Sequence, residues 1–102
     1  MINFTFLKDK SGQLKGFKCV NHGKDVVCAA VSILTQNTVN SVEALSDTRF
    51  QLDFDPSGGF MEFMLVDIID NKAELLLKSL ELGINGISSE YSKEIEVFVK
   101  EV

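Results

Sequence analysis

The apolar residues of this chain repeat with two different periods, and the order in which those periods occur is the tightest constraint on its fold. Ile2, Phe4 and Phe6 alternate with Asn3, Thr5 and Leu7, the period of a half-buried strand. Asp9-Lys10-Ser11-Gly12 reads as a turn, and a second extended stretch over about 13–20 makes a hairpin with the first. Val27, Val31, Leu34, Val42 and Leu45 then recur at spacings near three and four, or their multiples, predicting an amphipathic helix over about 26–45. Phe50, Leu52 and Phe54 return to alternation, and Asp55-Pro56-Ser57-Gly58-Gly59 is a strong turn signal. The return strand, 60–67, turns Phe60, Glu62, Met64 and Val66 to one face and Met61, Phe63 and Leu65 to the other. Asp70-Asn71 can start a second helix reaching about Tyr91, with Leu75, Leu76, Leu80, Ile84 and Ile87 as its apolar set. Gly83 and Gly86 within it suggest close packing against a neighbour or a local break. Ile95, Val97 and Val99 mark a last strand.

The order is ββαββαβ. Hairpins favour a mostly antiparallel sheet, and two amphipathic helices can cover one of its faces. The expectation is an α/β (α+β) two-layer sandwich with both helices packed on one face. Strand order does not follow from periodicity. The 102 residues suit one domain spanning 1–102, and 45% hydrophobic residues are enough to offset the entropy of ordering it.

Charge and chemistry-bearing residues narrow the function. Ten basic and fifteen acidic residues give −5, which argues against a nucleic-acid or anionic-membrane binder and suits a basic protein partner. One histidine, His22, and two cysteines, Cys19 and Cys28, are too few for a structural zinc site. No cofactor or metal is expected. The N-terminal stretch lacks a basic region and a long apolar core, and no apolar run is long enough to span a bilayer. A cytoplasmic protein with reduced thiols is the expectation.

Cys28 and His22 form the main chemical clue. A cysteine nucleophile attacks as its thiolate, so it needs a group that favours the anion and one that shuttles a proton. With Asp25 as N-cap, Cys28 falls at the third helical position, where free N–H groups and the helix dipole favour negative charge. His22, six residues earlier, can fold back toward the sulfur as base and later as acid. The helix-start N–H groups, with Gly23, are available to hold an oxyanion. Asp25 competes between capping the helix and orienting the imidazole. Ser32, one turn beyond Cys28, is placed to line the pocket. Spacing alone is weak evidence, since free cysteine is commonly a small buried hydrophobe. That is the reading of Cys19 on the second strand. Asp53, Asp55 and Asp67 fit no calcium loop and read as surface charge, and the phenylalanines read as core. The polar run Thr35-Gln36-Asn37-Thr38 faces solvent, a substrate groove or a dimer contact.

At these residues the chain resembles the ribosomal-processing cysteine protease family. The matching segments are Gly16-Phe17, His22, Asp25-Val26-Val27-Cys28-Ala29-Ala30-Val31-Ser32 and Leu34-Thr35-Gln36. Ala73-Glu74-Leu75-Leu76-Leu77, Leu80, Leu82-Gly83-Ile84, Ile87 and Tyr91 resemble its second helix. The resemblance implies a small bacterial endopeptidase that removes an N-terminal extension, ending in an apolar phenylalanine-rich stretch, from large-subunit ribosomal protein twenty-seven. It implies Cys28 as nucleophile and His22 as general base, with Asp25 and Ser32 at further motif positions, and a compact α/β homodimer. Two positions depart from the family pattern. Asn21 stands where glycine usually precedes the histidine, and asparagine tolerates a left-handed backbone better than most residues. Five residues separate His22 from Cys28, where the resemblance implies a loop commonly about twice as long, leaving the thiol more open to water and oxidation.

Three functions follow from these readings: a cysteine endopeptidase acting on the ribosomal protein's extension, a non-catalytic ribosome-associated binding domain of the same fold, and a redox-sensing thiol. An apolar cleavage motif calls for an aromatic-accepting groove near Cys28, with Val39 or the Met61/Met64 region as its lining.

Overall fold

The computed structural model describes residues 1–102. Its elements follow the expected order: β1 (Ile2–Lys8), β2 (Leu14–Val20), α1 (Asp25–Leu45), β3 (Phe50–Phe54), β4 (Phe60–Leu65), α2 (Asn71–Glu90) and β5 (Ile95–Glu101). They build one five-stranded sheet in the order β3-β4-β2-β1-β5. The β1–β2, β2–β4 and β3–β4 pairs are antiparallel, and β1–β5 is parallel.

This order makes each helix a crossover between parallel strands. The β2–α1–β3 connection steps over β4 in one direction, and β4–α2–β5 steps over β2 and β1 in the other. Because β2 and β4 also run in opposite directions, two crossovers of the same hand place both helices on the same face. The second layer of the sandwich follows from that topology.

The face beneath the helices carries alternate residues of every strand. Phe4, Phe6, Phe17 and Phe63 are buried there with Leu65, Ile95, Val27, Val31, Leu77 and Ile84. The aromatic rings run across the strands: Phe4 stacks on Phe17 at 5.4 Å, Phe17 on Phe63 at 5.4 Å, and Phe50 tilts against Phe63 at 5.0 Å. Such aromatic pairs contribute about 0.5–1.5 kcal/mol each beyond the area they bury, and they fix the register of β1, β2, β4 and β3. Register also depends on Gly16, paired with Met64. A Cβ at Gly16 would stand 2.0 Å from the Phe63 carbonyl oxygen, a backbone atom that cannot yield without parting β2 from β4.

Helix α2 begins as its sequence suggests: the Asp70 carboxylate accepts the Ala73 N–H at 2.7 Å. Its buried stripe, Ala73, Leu77, Leu80 and Ile84, shares Leu80 and Ile84 with the expected set; Leu76 and Ile87 are half-buried against the core, and Leu77 is buried where Leu75 is exposed. A run of three leucines fits two adjacent helical stripes, and packing against the sheet selects one. The helix is unbroken at its glycines. Gly83 lies against α1, where a Cβ would meet Leu34 at 3.0 Å, while Gly86 faces open space. In α1, Val27, Val31 and Val42 are buried as expected, but Leu45 at the last turn is exposed. No helix is long and apolar enough to cross a membrane.

Candidate active site

The topology brings three segments to one end of the sheet. Val20, the last residue of β2, pairs with Phe60, the first of β4, so the segment after β2 lies beside the β3–β4 turn. Helix α1 starts five residues after β2 and therefore opens at that same end. Asn21 adopts φ 71°, and its N–H donates to the Gly59 carbonyl at 2.9 Å. The left-handed backbone that sequence comparison suggested at this position is thus present, and it turns the chain from β2 toward the cleft.

His22 follows, exposed, with its imidazole over the Gly58-Gly59 peptide. Both glycines have positive φ, 92° and 85°. A Cβ at Gly59 would stand 2.8 Å from His22 Nε2, so a side chain there and the ring compete for the same space. Nothing in the sequence near His22 announces this seat, although the glycine pair in the turn is its only local signature.

Residues 23–24 are held from the other side by the segment before β5. The Lys24 N–H donates to Glu94 Oε2 at 3.1 Å, and a Cβ at Gly23 would meet the Glu94 carbonyl at 3.0 Å. The chain then enters α1 differently from the sequence expectation. Lys24 is the N-cap, with no side-chain cap bond, and Asp25 is the first helical residue. Asp25 is exposed and its carboxylate accepts no hydrogen bond, so it neither caps the helix nor orients the imidazole. Cys28 is accordingly the fourth helical residue rather than the third. Its N–H is already bonded, to the Lys24 carbonyl at 2.9 Å.

The Cys28 sulfur is bracketed by the two backbone groups of Gly23. The Gly23 N–H donates to Sγ at 3.2 Å, and the thiol in turn can donate to the Gly23 carbonyl at 3.4 Å. The N–H is the partner an anionic sulfur accepts, and the carbonyl is the partner of the protonated thiol. In this structure the Gly23 N–H is thus directed at the Cys28 sulfur. The N–H groups of the first helical turn remain available to a developing negative charge. His22 and Cys28 line one open cleft of about 380 Å³ but share no hydrogen bond. In free enzymes such bonds are often long and tighten with substrate.

The rest of the cleft is the α1 face bearing Ser32, Thr35 and Gln36, opposed by Phe54, Phe60 and Met61 of the β3–β4 hairpin. Ser32 lies in the lining as its spacing suggested. Of the polar run, Thr35 and Thr38 are buried and return their hydroxyls to the Val31 and Leu34 carbonyls at 2.9 and 2.8 Å, and Thr35 and Gln36 are the two that line the cleft. Cys19 also reaches the cleft floor, where it is packed against the core. Burial pushes its thiol up to about 11, with the nearby Cys28 charge adding to the effect. Both cysteines are free. At the rim, Asp55 is held below the usual carboxylate range by the Ser57 N–H and hydroxyl. The aromatic hairpin wall was read from sequence only as strands and a turn, because its contact with α1 joins segments far apart in the chain.

Comparison with known proteins agrees with this geometry. The sequence profile of the family described as cysteine protease Prp matches residues 1–96. The ribosomal processing cysteine protease Prp of Staphylococcus aureus is 29% identical over 79 residues, covering 78% of this chain and 74% of that protein. The protein of the same description from Bacillus subtilis is 30% identical over 80 residues, covering 74% and 71%. Among solved structures, that of an essential ribosomal processing protease Prp from S. aureus, in complex with a covalently linked product peptide, superposes with a TM-score of 0.92. It is 26% identical and covers 98% of this chain and all of that one, 100%. SMU.848 from Streptococcus mutans superposes with a TM-score of 0.88 at 31% identity, covering 100% and 99%. With its sequence profile, its curated relatives and its fold in agreement, the chain belongs to the Prp family of ribosomal processing cysteine proteases.

Proposed function

We propose that this protein is an endopeptidase that removes the N-terminal extension of large-subunit ribosomal protein twenty-seven, with Cys28 as nucleophile and His22 as general base. The observation that carries the reading is the shared cleft: the one histidine of the chain and a cysteine at a helix start line it together, with the Gly23 N–H on the sulfur. His22 takes the Cys28 proton as Sγ adds to the scissile carbonyl carbon. The carbonyl oxygen takes up negative charge near the free N–H groups of the α1 start. Collapse of the adduct breaks the C–N bond, the imidazolium gives its proton to the leaving amine, and a thioester remains on Cys28. Water, deprotonated by His22, hydrolyses the thioester and restores the thiol. Ser32 lines the binding groove in this scheme, and Asp25 has no part in it. The covalently linked product peptide of the S. aureus relative is in keeping with covalent catalysis.

Net charge suits the substrate. A −5 protein attracts a basic ribosomal protein at low ionic strength. The unmade His22–Cys28 hydrogen bond favours a second reading, a binding domain of the same fold without turnover. Incubation with a peptide spanning the extension separates the two by mass spectrometry. Two product masses that sum to one hydrolysed bond are expected; binding without products would establish the second reading.

A further inference from the structure

Residues 21–24 join β2 to α1 and carry His22 between two tethers. On one side, the Asn21 N–H is held by the Gly59 carbonyl at 2.9 Å. On the other, the Lys24 N–H donates to Glu94 Oε2 at 3.1 Å, across 70 positions of sequence. A helix start leaves its first N–H groups without intrahelical partners, and Lys24 makes no side-chain cap bond, so the second tether comes from outside the helix. Glu94 is itself fixed. Its carbonyl accepts the Ile2 N–H at 2.9 Å, its N–H donates to the Tyr91 carbonyl at 2.8 Å, and the next residue, Ile95, is buried as the first of β5. Its main chain also lies close against the connection, since a Cβ at Gly23 would stand 3.0 Å from the Glu94 carbonyl oxygen.

The second tether reaches the nucleophile through one peptide unit. The Lys24 N–H and the Gly23 carbonyl belong to the same planar trans peptide and point in opposite directions. Holding the N–H toward Glu94 therefore turns the carbonyl toward Cys28, whose Sγ lies 3.4 Å from it. The N–H of Gly23 stands 3.2 Å from the same sulfur. Glycine rotates freely about both of its backbone bonds, so these two groups keep their direction only while the far side of the peptide is anchored. Glu94 is not among the residues that line the cleft. We infer that Glu94 is a positioning residue for proteolysis: through the Gly23-Lys24 peptide it holds the two backbone partners of the Cys28 sulfur and the C-terminal side of His22. The inference rests on the endopeptidase reading above. It adds a carboxylate that serves the pair from the far end of the chain, a part the exposed Asp25 does not play.

The test compares Glu94→Ala with Glu94→Gln, whose side-chain carbonyl still accepts the Lys24 N–H, and with Asp70→Asn, which weakens the fold at the other helix. Amide hydrogen exchange at Gly23 and Lys24 is read by NMR on each protein, and cleavage of the extension peptide is read as separate kcat and KM. In Glu94→Ala both amides exchange faster than in wild type, and kcat falls roughly three- to tenfold, the share of one hydrogen bond. KM is unchanged, since no residue of the cleft lining is lost. Glu94→Gln returns exchange and kcat to near wild type, and Asp70→Asn moves neither the Gly23 amide nor kcat. Lys24→Pro is an independent check, because Lys24 has φ −60°, which proline adopts, and the substitution removes the tethered N–H from the main chain. In that background Glu94→Ala lowers kcat no further. Faster exchange at Lys24 alone, an unchanged kcat, or a loss carried by KM reduces Glu94 to a helix cap and overturns the inference. If wild type cleaves no peptide, the endopeptidase reading fails separately, and exchange of the Gly23 amide in the same variants decides whether Glu94 holds the donor on the sulfur.

Discussion

The seat of His22 on the β3–β4 turn offers a pair of substitutions that separates backbone strain from positioning of the imidazole. Gly58 and Gly59 have nearly the same positive φ, 92° and 85°. Alanine at either site therefore carries a similar backbone penalty, about 1–2 kcal/mol. The two differ in what the new methyl meets. At Gly58 it reaches ordinary contact, 3.4 Å from His22 Cε1, whereas at Gly59 it stands 2.8 Å from Nε2. The ring must retreat by about 0.6 Å in Gly59→Ala and hardly at all in Gly58→Ala. Thermal melts should show similar losses, about 4–8 °C for each kcal/mol in a domain of this size. Peptide cleavage should separate them: Gly58→Ala stays near wild type, and Gly59→Ala falls roughly tenfold, since a displacement near 1 Å can cost a hundredfold. Equal activity in two equally destabilised variants would refute the claim that this turn positions the imidazole.

Other consequences are independent of that seat. Gly86→Ala places a methyl in open space within α2 and should stabilise the fold by about 0.5–1 kcal/mol, read as a higher Tm; a lower Tm would contradict the open environment. The Ala73 N–H, and then the Asp47 N–H, hold the Asp70 carboxyl below its ordinary 3.8. A lowered folded-state pKa means that this stabilisation is complete above the ordinary aspartate value and disappears as pH falls through the lowered one. Asp70→Asn should therefore melt below wild type at pH 7 and close the gap in strong acid, whereas a constant gap would contradict the linkage. Because burial raises the Cys19 thiol to about 11, alkylation at neutral pH should modify Cys28 first, and peptide mapping that found Cys19 labelled as fast would contradict its placement.

The sequence made the local structure legible where one residue type has one local use. Alternating apolar residues marked the core faces of β1 (Ile2, Phe4, Phe6) and β4 (Met61, Phe63, Leu65), Asp70 marked the start of α2, and Asn21 marked a left-handed turn. It was less informative where neighbouring positions compete. Leu75 and Leu77 both fit a helical stripe, and only packing buries Leu77. Asp25 is a good cap by type, yet the Lys24 N–H is fixed by Glu94 from before β5, and the helix starts one residue earlier than capping by Asp25 requires. Contacts between distant segments left no periodic trace. The strand order, the His22 seat on Gly59 and the Phe54–Met61 wall opposite α1 all depend on where crossovers deliver their strands. Cys28 and His22 were legible as a candidate pair because the chain holds so few such groups. Their shared cleft was not.

The central claim is that Cys28 and His22 act together on a peptide bond. Its most direct test is the rate of cleavage of the extension peptide by wild type, Cys28→Ala and His22→Ala, each first shown to be folded by its thermal melt. The account predicts no cleavage by Cys28→Ala and a loss of roughly 10²–10⁴-fold in His22→Ala, the contribution expected of a general base. Cleavage at the wild-type rate by either variant would contradict it.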